Sequence, residues 1–404
     1  MLKTTLLGAG AGAVALAAGG ALAASAAGPL ALSGVALAVA ALLPLAVAGS
    51  GAIVLHRVGR VERGETDLFL QCNEPRLEAS LDRPDGFRAG ALRRVAARTM
   101  LGHDYLVGDE VEIKSLEEIQ ATLDENGCLG GMPFMPEMVA FCGRRGRVFR
   151  SVDKIYDYGR TRGMRRLPGC VLVSGLRCDG EPHGGCQARC YAIWRTEWLR
   201  RPGEARSAAG QGRVAPARVP SKAPDGTPRE RYFCQYTELH AASTPLGVWG
   251  IGKELRPLVA GNVTLKTWIV GLATRLFNRV QVLRGGAGFP DRPRLKGLAP
   301  IEPTPLVPGD RVTVRSIIEI ESTLNDKGKH RGLWFDPDQI KHCGKPRTVI
   351  ARVDQIIDDA WGQMLTMKTP CILLEGVDYS GETLSFSAQH DLYFWREHWL
   401  VKQG

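Results

Sequence analysis

Apolar residues recur with several different periods along this chain, and each change of period marks a new part. From Leu6 to Gly28, and again from Pro29 to Leu55, no charged residue occurs. Each run is long enough to cross a bilayer, which needs about 20 residues. Their Ala and Gly content would let two such helices pack closely as a hairpin. His56, Arg57, Arg60 and Arg63 follow directly, and Lys3 precedes. The positive-inside rule then places both ends in the cytoplasm, together with the chain after Leu55. The first run has an alternative reading as a signal peptide, with Ala21-Leu22-Ala23 as its cleavage site. The Gly-rich stretch Gly8-Ala9-Gly10-Ala11-Gly12 is not a dinucleotide loop, since no strand leads into it and no acidic residue follows at the right distance.

Beyond the apolar start the pattern becomes that of a mixed domain, and it occurs twice. Residues 108–200 align with 309–401 at a constant offset of 201 without a gap, and 28 of the 93 positions are identical. That excess over chance points to duplication. Each copy opens on Gly-Asp and a short alternating strand, Val111-Glu112-Ile113 or Val312-Thr313-Val314. Ser115 with Glu118, and Ser316 with Glu319, form the S-x-x-E pattern of a capping box that starts a helix. Gly127 and Gly328 are expected as left-handed C-cap residues, and Pro136 and Pro337 as the first turn of a second helical element. Val148, Val152 and Ile155, then Val171 to Leu176, read as strands. The copies close on Trp194-Arg195-x-x-Trp198-Leu199 and Trp395-Arg396-x-x-Trp399-Leu400, whose indoles are expected as core anchors.

The fold class expected is α+β: two duplicated small β-barrel-like modules, SH3-like as the preferred form, with one capped helix each, behind a helical membrane segment. The boundaries read as a membrane segment at 1–55, a connecting region at 56–107, module one at 108–200 and module two at 309–401. Between the modules, 201–230 is rich in Pro, Ala, Gly and Arg and reads as a disordered linker. Residues 231–283 carry a helical stripe at Leu265, Trp268, Ile269, Leu272, Leu276 and Phe277, and 284–308 is a second, Gly- and Pro-rich linker.

The phrases Cys343-Gly344, Cys371 to Gly376 (Cys-x-Leu-Leu-Glu-Gly) and Trp395 to Leu400 (Trp-Arg-Glu-x-Trp-Leu) resemble a group of uncharacterised bacterial proteins often encoded near polysaccharide or secondary-metabolite biosynthesis genes. The resemblance covers both modules and implies no particular chemistry or active residue.

Charge changes this picture. The net charge is +10, which suggests an anionic partner of some kind. Module one concentrates it. Between Cys142 and Arg166 lie nine Lys or Arg against two Asp, whereas the matched stretch of module two is balanced. Arg144, Arg145, Arg147, Arg150, Arg162, Arg165 and Arg166 are therefore candidate anion-binding residues, interleaved with Phe149, Tyr156 and Tyr158. The expected partner is an anionic lipid head group or an acidic protein; nucleic acid is the weaker expectation, and a merely solvated basic face is the plain alternative.

Cysteine and histidine supply the other candidate. Cys178, His183, Cys186 and Cys190 follow one another as Cys-x4-His-x2-Cys-x3-Cys. Thiolate and imidazole are zinc's usual ligands, and four of them close a tetrahedral site. The spacing matches no standard finger, and module two has Tyr379, Leu384, Ser387 and Asp391 at the matched positions. Unligated loop thiols are the plain alternative. Cys142 and Cys170, matched by Cys343 and Cys371, read as small buried framework residues, with Cys142 beside Arg144 and Arg145 as a weaker candidate nucleophile. No nucleophile elbow, phosphate loop, HExxH or paired C-x2-C motif is present. These features point to a membrane-tethered binding or scaffolding protein with cytoplasmic modules. The second expectation is an accessory enzyme of polysaccharide or secondary-metabolite biosynthesis that uses the Cys/His loop.

Overall fold

A computed structural model of the 404-residue chain describes residues 46–54, 91–223, 225–247, 252–286, 288–289, 302–379, 381 and 385–403. It is α+β with two half-barrel sheets built to one plan. In module one the strand order is Tyr191–Arg195, Cys170–Arg177, Arg145–Ser151, Glu110–Ile113, Leu199–Arg200. In module two it is Met364–Leu374, Pro346–Ile357, Arg311–Val314, Leu400–Lys402. Registers repeat at the same offset: Val148 pairs with Val173 and Val349 with Leu374, and a bulge follows at the next position in both. Such a bulge bends the strand and lets a short sheet curl around its own core.

Local sequence explains most elements. Each capping box forms: the Ser115 amide donates to Glu118 Oε2 at 3.0 Å and the Ser316 amide to Glu319 Oε2 at 2.9 Å. Those helices, Leu116–Gln120 and Ile317–Thr323, end before Gly127 and Gly328. The two glycines are left-handed, but they close the following turns, through amide bonds to Asp124 and Asn325. Trp194, Trp198, Trp395 and Trp399 are fully buried. Trp198 Nε1 donates to Thr122 Oγ1 at 3.0 Å and Trp399 Nε1 to Thr323 Oγ1 at 2.9 Å, so each indole carries its own polar partner into the core.

The region between the modules corrects the expectation of a disordered linker over 201–230. Arg218–Lys222 and Pro228–Tyr232 form a hairpin, and the Ala215 amide donates to the Phe134 carbonyl at 3.0 Å. Gln235 then continues module one's edge, accepting from the Ile193 amide at 2.7 Å and donating to its carbonyl at 2.8 Å. A side-chain amide with one donor and one acceptor can stand in for a missing strand neighbour, which is how a Pro- and Arg-rich stretch stays docked. The expected helical stripe lies on the helix Leu265–Leu283, which follows a shorter helix, Gly252–Ala260. They are broken at Gly261 (φ 90°) and Asn262, whose side chain holds both backbone groups of Ser151.

The membrane expectation is corrected as well. Residues 1–45 and 55 of the proposed segment lie outside the described residues, and its described part, 46–54, is a short helix with Val54 packed near Phe277 and Phe289. Among the described residues no helix is long and apolar enough to cross a membrane. The longest, Leu265–Leu283, carries Lys266, Arg275 and Arg279. The transmembrane helix and the localisation built on it are therefore withdrawn.

Candidate functional site

The strand Cys170–Arg177 of module one runs into the loop that holds the Cys/His motif. Gly180 (φ 78°) and Gly184 (φ 66°) shape it, because a Cβ there would fall 1.8 Å from the Cys186 carbonyl oxygen and 2.1 Å from the Tyr232 hydroxyl. The folded loop turns Cys178 and His183 toward Glu137, which sits on the short 3-10 helix Pro136–Phe141. Ligand atoms of Glu137, Cys178 and His183 all lie within 4.8 Å of one another. His183 Nε2 is 3.1 and 3.2 Å from the two Glu137 oxygens, with the side chains 2% and 7% exposed. Its Nδ1 is buried and has no hydrogen-bond partner.

Cys186 and Cys190, expected as ligands, stand outside this tight group. They line the same small cavity, about 50 Å³, together with Cys234 from the inter-module region. Cys186 Sγ accepts the Ile357 amide of module two at 3.4 Å. Burial pushes the Cys178 and Cys190 thiols well up and Cys234 up to about 12. Burial also raises the Glu137 carboxyl, but hydrogen bonds from His183 and Cys178 outweigh it and leave that group below its ordinary value. The site is thus a buried carboxylate beside thiols that stay protonated unless a cation arrives, and a cation is what reverses that preference.

The paired cysteines behave as framework. Burial raises Cys170 to about 12 and Cys142 to about 11, so neither is prepared as a nucleophile.

The expected basic face divides. Arg165 is buried, donating through Nε to Ser243 Oγ at 2.6 Å and through Nη2 to the Ser243 carbonyl at 2.6 Å. Arg166 faces Asp153 at 3.4 Å, Arg145 faces Glu112 at 3.5 Å, Arg147 donates to the Gly108 carbonyl at 3.3 Å, and Arg150 is buried beside Phe149. Arg144 is exposed, over Phe141. Arg162 (φ 47°) is exposed on the rim of a larger feature, a cleft between the two modules.

That cleft follows from how the modules meet. The Gln187 amide donates to the Gln355 carbonyl at 3.1 Å, and the Ala388 amide donates to the Lys154 carbonyl at 2.8 Å. These are the same contact exchanged at the 201-residue offset. Arg177 pairs with its own counterpart, Asp378, at 2.6 Å. Reciprocal contacts and a self-paired position are the signature of a two-fold interface, here a pseudo-two-fold within one chain. On this axis opens a cleft of about 1050 Å³. Module one and the hairpin contribute Arg160, Arg162, Lys222 and Arg229; module two contributes Trp334, Trp361, Asp336, Asp359 and Asp391. Arg231 also lines it but is spent on Glu238. Burial and the neighbouring Asp391 push the Asp359 carboxyl up to about 7, and burial raises Asp391, which accepts from Tyr236 Oη at 3.0 Å.

Glu137, Cys234 and the cleft's module-two wall are not marked by any motif in the sequence, whereas Arg160 belongs to the basic run 142–166. No protein-family model matches the chain, and no curated protein matches it.

Proposed function

We propose that this is a binding protein in which two duplicated modules face each other across a pseudo-two-fold axis and hold an anionic ligand in the cleft between them. The carrying observation is the polarised lining: exposed Arg160, Arg162 and Lys222 on one side, half-exposed Trp334 and Trp361 on the other. Guanidinium groups pair with phosphate or carboxylate oxygens, and exposed indoles offer a stacking surface for the rest of the ligand. Asp336, Asp358, Asp359 and Asp391 also line the cleft, and burial raises the Asp359 and Asp391 carboxyls, which lessens their opposition to an anion. A concave site lined by a few convergent polar groups is where small ligands bind. Titration of the full chain with inorganic pyrophosphate tests the reading. Arg160→Ala with Arg162→Ala should weaken binding about tenfold or more, and Arg144→Ala should leave it unchanged. Equal loss from Arg144→Ala, or no binding at all, would refute it.

A second reading rests on a different observation, the convergence of Glu137, Cys178 and His183 with an unpartnered His183 Nδ1. We propose that this group holds zinc, with Cys178 and His183 as ligands. Glu137 either completes the ligand set or holds the imidazole by its other nitrogen, an arrangement common around zinc. Metal analysis of the purified full chain checks it: about one zinc per chain is expected, and a chain with none that also fails to take up added zinc would overturn it.

A further inference from the structure

The loop 178–190 does more than carry the candidate ligands: it is the part of module one that grips module two. Gln187 Oε1 accepts the Asp354 amide at 2.6 Å and the Gln355 amide at 3.1 Å. Gln355 Nε2 returns to the Gly184 and Gly185 carbonyls, both at 3.1 Å. With the Ile357 amide on Cys186 Sγ, the end of the strand Pro346–Ile357 is paired on one side with Met364–Leu374 and on the other is held by this loop. The loop is a poor fastener unaided. Gly180, Gly184, Gly185 and Arg189 all have positive φ, and glycine-rich backbone is costly to order. The Cys178 amide donates to the Cys190 carbonyl at 2.8 Å and closes the loop on itself, and the contact with the helix beneath comes where Cys178 and His183 meet Glu137.

The counterpart in module two explains the need. Its loop is closed the same way, with a Cβ at Gly381 falling 2.1 Å from the Ser387 carbonyl oxygen. The residue matching Glu137 is Asp338, fully buried, and its neighbours are Lys341 Nζ at 3.0 Å and Tyr393 Oη at 2.7 Å. Where module two brings an ammonium to its buried acid, module one has Ala140 in the matching position.

We infer that a zinc ion bound at Cys178 and His183 beside Glu137 is the pin that locks loop 178–190 onto the strand Pro346–Ile357, so that the geometry of the inter-module cleft depends on metal. The inference rests on the zinc reading above and adds to it a structural consequence between modules. In chemical terms the ion takes the place that Lys341 occupies in module two. It joins the loop to its underlying helix, and the loop then presents Gln187 and Cys186 in fixed positions.

Hydrogen–deuterium exchange on the full chain reads this directly, because the amides of Asp354, Gln355 and Ile357 are donated to the loop. Removing zinc with a chelator should raise exchange over 354–357 about tenfold and leave 312–314 at the core of module two unchanged; readdition of zinc should restore it. Gln187→Ala should raise exchange at 354–357 with the zinc content intact, a variant that leaves the proposed ligands untouched. If the chain takes up no zinc, the zinc reading fails and this inference with it. If zinc binds but its removal, or Gln187→Ala, leaves exchange at 354–357 unchanged, the zinc reading stands and the lock is overturned.

Discussion

Loop 178–190 of module one and the stretch matched to it in module two, 379–391, differ in sequence, and the chemistry around two matched buried carboxylates, Glu137 and Asp338, differs as well. In module two, Lys341 and Tyr393 both donate to Oδ2 of Asp338, and His390 packs its ring 4.4 Å from Phe149 across the interface. In module one the same place holds protonated thiols and a histidine with one unpartnered nitrogen. A duplicated module can lose a site once a side chain replaces the ligand. The cleft shows the same divergence, with cations on the module-one side and aromatic and acidic groups on the other.

The two modules should behave alike at their tryptophan anchors. Trp198→Ala and Trp399→Ala each delete a fully buried indole with a threonine partner. Each should destabilise its own module by about 3–5 kcal/mol, and chemical denaturation should show comparable losses. A large difference would mean that the two cores are not equivalent.

Next comes the position where they should differ. Lys341→Ala removes the ammonium 3.0 Å from the Asp338 carboxylate, which has no exposure, and keeps the Tyr393 hydroxyl on it. A loss of about 2–4 kcal/mol is expected in module two. The matched change in module one, Ala140→Lys, brings an ammonium toward Glu137 and should reduce zinc uptake. Metal analysis beside a melting curve checks both.

A smaller, pH-dependent effect belongs to the cleft floor. The Asp359 carboxyl titrates near 7 when folded, well above its unfolded value of about 4. The folded state therefore binds the extra proton, and stability declines as pH rises between those values. Asp359→Asn should have no advantage at pH 4 and should gain on the order of 1–2 kcal/mol by pH 8, a figure discounted because the residue is only partly buried. Pyrophosphate binding should weaken over the same rise in pH, as Asp359 acquires charge beside the ligand. The smallest effect is at the caps: Ser115→Ala and Ser316→Ala should each cost about 1 kcal/mol, measurable by thermal unfolding.

How much of this was legible in the sequence depended on the range of the interactions. The capping boxes, the tryptophan anchors and the order of elements rest on neighbouring residues or on the duplicate itself, and they were readable. The metal-capable group was half readable. Cys178 and His183 share a loop, but Glu137 lies far back on a separate helix and its counterpart is an aspartate engaged elsewhere, so neither spacing nor the repeat marked it. Cys186 and Cys190 had suitable chemistry and spacing, yet the loop turns Cys186 toward module two. Charge in sequence does not show which arginines are used internally: Arg165 and Arg166 make contacts within the fold, while Arg160 and Arg162 line the cleft. The stretch 201–230 looked like a linker by composition, and only docking through Ala215 and Gln235 reveals otherwise.

X-ray absorption at the zinc edge, on the purified full chain, reads the difference between the two modules. One zinc per chain is expected in a mixed shell, with one sulfur at about 2.3 Å and nitrogen or oxygen at about 2.0–2.2 Å, lost in Cys178→Ser and unaffected by Lys341→Ala. A chain without zinc would contradict it. So would an all-sulfur shell, which would move the site from Glu137 and His183 to the cysteines of the neighbouring cavity.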